Sequence, residues 1–124
     1  MFEHSALTNQ IIGLAISVHR DSGPGMLESF YQECLCIDLE DAGIPFEREV
    51  ILPAIWRGRT IPMGFRADIV VAGAVILEIK GVSALLPAHE AQVRTYLRMS
   101  GIRIGLLMNF HAPRLKDGLM RFVV

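Results

Sequence analysis

The stretch Ala74-Val75-Ile76-Leu77-Glu78-Ile79-Lys80 restricts this chain more than any other. Its unbroken apolar run belongs in the middle of a sheet, where both faces are covered. Glu78 and Lys80 are two residues apart, so in a strand they share one face and Ile79 takes the other. Two charges at the end of a buried strand are costly unless something pairs or coordinates them. Their partner is either each other or an ion together with a substrate.

A chain of 124 residues is long enough for one core and short for two, so a single domain over 1–124 is expected. The net charge of −1 gives no general pull on polyanions. Any nucleic-acid contact would therefore need a local basic patch. Cys34 and Cys36 cannot share one side of a helix and have no CxxC or Cys/His partner, which reads as two free thiols in a reducing compartment. No apolar run approaches the roughly 20 residues of a membrane span. Glu3 and His4 stand where a signal peptide needs cations, so a cytoplasmic protein without membrane contact is expected.

Leu7, Ile11, Leu14 and Val18 make one helical stripe, with Ser5 or Thr8 as its cap, and the breaker Asp21-Ser22-Gly23-Pro24-Gly25 ends it. His19, in the last turn, can bind free carbonyls or face the next segment of the chain. A second helix is expected over 26–42, burying Leu27, Tyr31, Cys34 and Leu35 and stopping at Gly43. Glu28 in its first turn suits the helix dipole, which alone would account for it. Phe46 to Leu52 alternates as an edge strand, Arg57-Gly58 turns before Thr60 to Met63, and Arg66 to Val71 is a further strand. Pro87 opens a third helix that Gly101 closes, with Val93 and Leu97 inside and His89, Gln92 and Tyr96 on a neighbouring face. Arg94 and Arg98, four apart, form either a small phosphate-steering patch or solvated charges. A buried strand over 102–109 would return beside the sheet, and a short one closes the chain over 119–123.

Ala72-Gly73 turns the strand of Asp68 directly into the strand of Glu78. Residues that face one another across an antiparallel pair point to the same side. A register centred on Gly73 pairs Asp68 with Glu78. A two-residue Ala72-Gly73 loop pairs Asp68 with Leu77 instead and separates the acids. The residues permit both.

An acid ten residues before Glu-x-Lys, on adjacent strands of an α/β sheet, resembles the PD-(D/E)XK nuclease superfamily. A tighter resemblance is to the small bacterial proteins named GxxExxY after their motif, standing here as Gly25-Met26-Leu27-Glu28-Ser29-Phe30-Tyr31 after Val18-His19-Arg20 and Gly23-Pro24. It continues through Arg66-Ala67-Asp68, Glu78-Ile79-Lys80, Gln92 with Tyr96-Leu97, and Gly105 to Phe110. Trp56, where a tyrosine is more usual, and Ser22, for a leucine, depart from it. The resemblance implies a restriction-endonuclease-like αβββαβ core, a mixed sheet flanked by helices, with an extra N-terminal helix.

It also implies a Mg²⁺-dependent nuclease, with Mn²⁺ as a substitute ion, acting on nucleic acid, DNA before RNA, by activated water. Asp68, Glu78 and the Ile79 carbonyl would hold the ion, and Glu28 would complete the set directly or through water. Lys80 would hold the attacking water and offset charge on the phosphate. Gln92 and Tyr96 would orient water or a phosphate. So small a chain offers little surface to grip DNA, so a homodimer or a larger partner is expected to finish it. Two other readings compete: a silent nucleic-acid- or protein-binding module on the same fold, and mere buried ion pairs of Glu78 with Lys80 and Asp68 with Arg66.

Overall fold

The computed structural model describes residues 4–124, with Met63 described by its backbone alone. Helices α1 (Ser5–Ser22) and α2 (Glu28–Asp41) precede strands β1 (Phe46–Trp56), β2 (Arg59–Val71) and β3 (Val75–Lys80). Helix α3 (Pro87–Ser100), strand β4 (Ile104–Asn109), a 3-10 turn and strand β5 (Leu119–Val123) complete the order. The sheet runs β1-β2-β3-β4-β5, antiparallel except for the parallel β3–β4 pair that α3 connects. This is a restriction-endonuclease-like α/β fold, with α2-β1-β2-β3-α3-β4 as its αβββαβ core and α1 added in front.

The apolar run does lie mid-sheet, with Val75 to Ile79 buried. Val75, Leu77 and Ile79 pack with Ile11, Val18, Tyr31 and Leu35 of α1 and α2. Ile76 packs on the other face with Val93, Tyr96 and Leu97 of α3. Among the described residues no helix is long and apolar enough to cross a membrane.

Several local expectations are corrected. Ser5 is the first helical residue and Thr8 Oγ1 donates to the His4 carbonyl at 2.9 Å, so neither caps α1. Helix α2 starts at Glu28 because the Gly-Pro-Gly breaker carries extended backbone as far as Leu27, which is 76 % exposed. The buried side of α2 is Tyr31, Leu35, Cys36 and Leu39, so Cys36 takes the core position expected of Cys34. Thr60 to Met63 is not separate from the Asp68 strand, since β2 runs unbroken from Arg59.

A bulge makes that continuity possible. Leu52 pairs with Phe65 but Ala54 pairs with Ile61, so β2 carries two extra residues opposite Pro53. Gly64 sits there with its backbone against β1, and a Cβ on it would collide with the Leu52 carbonyl oxygen. A second irregularity lies nearer the middle of the sheet. Ala67 and Val70 both pack toward α3 although odd spacing should separate them. Glu49, in register opposite Asp68, has φ of 50°, and the strand pair turns over at this point.

Candidate metal and phosphodiester site

Of the two hairpin registers, the molecule adopts the one that brings the acids together. Ile69 pairs with Leu77, Val70 with Ile76 and Val71 with Val75, which sets Asp68 opposite Glu78. The connection takes three residues, with Ala72 and Gly73 both at positive φ (52° and 63°). Only glycine adopts this conformation without cost, so Ala72 carries some strain.

Asp68 and Glu78 are tied through each other's strands. The Asp68 amide donates to Glu78 Oε1 at 3.2 Å, and the Ile79 amide donates to Asp68 Oδ2 at 2.7 Å. Glu78 is only 2 % exposed. Burial first, and then the neighbouring Asp68 carboxylate, pushes its pKa up from 4.5 to about 8. Burial also raises Asp68, against the pull of the Ile79 amide and of Lys80. Lys80 acts on both carboxyls through space, pulling against the rise in each. Arg66 pairs with Glu49 at 3.8 Å and not with Asp68. The reading of the site as simple buried ion pairs therefore loses its Asp68–Arg66 pair.

Glu28 reaches this strand end from α2. Its Oε2 accepts from the Gly81 amide at 2.8 Å, and its charge is felt at Asp68. The GxxExxY pattern has a structural meaning here. Tyr31, fully buried, donates its hydroxyl to the Gly23 carbonyl at 2.6 Å and accepts from the Met26 amide at 3.0 Å. Its ring stacks on Phe110, with centroids 4.5 Å apart. The tyrosine thus clamps the loop from which Glu28 emerges.

On the α3 side, Gln92 Nε2 donates to the Tyr96 hydroxyl at 2.9 Å. Burial first, and then Glu78, raises the Tyr96 pKa, which puts its phenol in the field of the acids. His89 does not share this role: its Nδ1 accepts from the Leu86 amide at 2.9 Å and closes the start of α3. His19 binds the Ala112 carbonyl through Nε2 at 2.8 Å, one of the two roles expected of it. Arg94 lies over the Phe122 ring and Arg98 beside Thr95, so both are held locally.

Sequence reasoning misses two residues of this region. Gly81 supplies the amide for Glu28, and a Cβ there would press on the Glu28 side chain at 3.3 Å. Asn109, in register with Lys80, is 4 % exposed; its side chain accepts from the Val82 and His111 amides and donates to the Val82 carbonyl. It joins the ends of the two parallel strands, where α/β sheets commonly bind ligands. A cleft of about 610 Å³ opens there, lined by Ser83, Glu90, Asn109, His111 and Asp117 among others. A polar residue closing a buried strand was the available signal for Asn109.

The donor set suits a hard divalent cation, since every candidate is a carboxylate or carbonyl oxygen. Two carboxyls in contact, one pushed up to about 8 by burial and by its neighbour's charge, are what such an ion would relieve. Among the described residues no three acid, histidine or cysteine side chains form a ready-made cage. Magnesium does not require one, because it keeps several waters and takes one or two carboxylates.

The family model of the PD-(D/E)XK nuclease superfamily matches residues 5–122. The chain belongs to that superfamily. The match spans β2 and β3, whose register sets Asp68 opposite Glu78, with Lys80 two residues further along β3. No curated protein and no solved structure matches the chain. Membership of a PD-(D/E)XK superfamily makes a metal-dependent nuclease the coarse reading of this site.

Proposed function

We propose that the protein is a Mg²⁺-dependent nuclease of the GxxExxY type that hydrolyses phosphodiester bonds in nucleic acid, DNA before RNA. One observation carries this reading: Asp68 and Glu78 meet on one face of β2–β3, with Lys80 on the same strand end. Asp68, Glu78 and the Ile79 carbonyl would hold the ion. When bound, the ion supplies positive charge for the phosphate oxygens and makes water more acidic.

The chain's own groups do the rest. Lys80 positions the attacking water and offsets charge developing on the phosphate. The Gln92–Tyr96 pair fixes a water or phosphate oxygen from the α3 side. Glu28 completes the set directly or through water, held in place by the Gly81 amide on its Oε2. The burial of Glu78 keeps bulk water from competing for the carboxylates.

A silent binding module remains the second reading. It is favoured by the cleft of about 610 Å³, which is lined by Asn109 and its neighbours and by neither Asp68 nor Glu78. A cleavage panel of single- and double-stranded DNA and RNA, with Mg²⁺ or Mn²⁺, separates the two. The nuclease reading expects cleavage by the natural chain and none by Lys80→Ala. Ion uptake with no cleavage of any substrate would favour the module.

A further inference from the structure

The β1–β2 pair extends well past its supporting helices. Beyond the bulge it continues as a two-stranded ribbon to the Arg57–Gly58 turn. Ile51, Ile55 and Trp56 are each more than 60 % exposed, and Ile61 is 41 % exposed. Ile51 and Ile55 lie on one face. Trp56 and Ile61, through the Trp56–Arg59 and Ala54–Ile61 pairings, lie on the other. A lone two-stranded ribbon is marginal in water, and an apolar one at a sheet edge invites association. From Ile51 to Pro62 it carries two cations, Arg57 and Arg59, and no acid.

A surface of the opposite character lies between α1 and α2. A groove of about 350 Å³ there is lined by Val18, Asp21, Ser22, Phe30, Cys34 and Asp38. Its floor is apolar and aromatic and its rim carries two carboxylates. Helix α2 as a whole holds five acids and no lysine or arginine. Asp21 meets Arg20 in an exposed contact of 3.7 Å that is weak and easily exchanged.

We propose that the Trp56-Arg57-Gly58-Arg59 tip of one copy docks into the α1–α2 groove of a second copy, and reciprocally, forming a twofold dimer. The indole would lie against Phe30, Val18 and Cys34, and the two arginines would meet Asp21 and Asp38. Charge complementarity selects this occupant: the charged residues of the tip are the cations Arg57 and Arg59, and those lining the groove are the acids Asp21 and Asp38. A tip cannot reach its own groove. Arg48 is bound to Glu33 of α2, and Trp56 lies about 26 Å further along the strand. Four large apolar side chains against two arginines also suit a protein surface better than a polyphosphate, whose binding rests on rows of cations. The dimer does not depend on the nuclease reading.

Light-scattering mass across a concentration series tests it. The natural chain should reach twice 13.8 kDa, and Trp56→Ala should return to one. A variant with Arg57→Glu and Arg59→Glu should be monomeric, as should one with Asp21→Lys and Asp38→Lys. Mixed in equal amounts, the two should reassociate, because each tip then meets a groove of opposite sign. In addition, Ile61→Cys, on the Trp56 face of the ribbon, should cross-link between copies to Cys34 when oxidised with diamide, and Cys34→Ser should abolish that bond. A natural chain that stays at 13.8 kDa, or variants that keep the dimeric mass, would overturn the proposal. So would a tip reversal that weakens nucleic-acid retention while leaving the mass unchanged, which would make the ribbon an arm on the substrate.

Discussion

Asp68 and Glu78 hold each other's strands: the amide of Asp68 binds the Glu78 carboxyl, and the amide after Glu78 binds the Asp68 carboxylate. The β2–β3 pairing and the acidic pair are therefore one structural unit. A change to either acid should disturb both chemistry and stability.

Glu78 makes stability depend on pH. A carboxyl whose pKa rises on folding, here from 4.5 to about 8, favours the folded state while it is protonated. That contribution is complete below about pH 4.5 and is lost as pH climbs through about 8, a change on the order of 5 kcal/mol. Urea unfolding in the presence of chelator should show stability falling from pH 5 towards pH 8 in the natural chain. Glu78→Gln should remove most of the slope and be the more stable protein at the alkaline end. An equal slope in both proteins would show that Glu78 is not its source.

Ion uptake should separate the acids from the lysine. Isothermal titration of Mg²⁺ or Mn²⁺ should give heat with the natural chain and with Lys80→Ala, and none with Asp68→Ala or Glu78→Ala. Lys80→Ala should nonetheless lose cleavage. Undiminished uptake by Asp68→Ala would remove that carboxylate from the proposed ligand set.

Tyr31→Phe deletes two hydrogen bonds to the loop before α2 and keeps the ring stack on Phe110. A loss of about 1–3 kcal/mol is expected, since a buried carbonyl and amide lose their partner. Glu28→Gln should instead leave the melting temperature nearly unchanged and lower cleavage. Thermal melts beside the same cleavage assay distinguish the two effects.

Gly64→Ala tests the bulge. A methyl group there would meet the backbone of Leu52 at a distance no relaxation of a side chain can relieve. We expect destabilisation of at least about 2 kcal/mol, with β1 and β2 forced apart. Calorimetry of the pure variant measures it.

Much of this architecture is legible in the residues. The β3 run, the closure of α3 between Pro87 and Gly101, and the return of β4 beside β3 follow from apolar patterning and breakers. The register of the Asp68–Glu78 hairpin does not, because it depends on Ala72 accepting a positive φ that only the assembled sheet enforces. Leu27 has the helical spacing of a core residue, but a hydroxyl on Tyr31 holds the preceding backbone extended. His89 has the spacing of a site residue, and a local hydrogen bond to the Leu86 amide takes it instead. The reversal at Glu49 leaves no trace in polarity, since it exchanges which side of a strand is inside without changing the residue types.

The bond from Gly81 to Glu28 spans 53 positions of the chain. It can form only when the end of β3 and the beginning of α2 have already met in space. A polypeptide still emerging from the ribosome, or one partly unravelled by heat, would lack that link even where the β2–β3 hairpin had formed. On the proposed function, in which Glu28 serves the site, such unfinished copies would cut poorly.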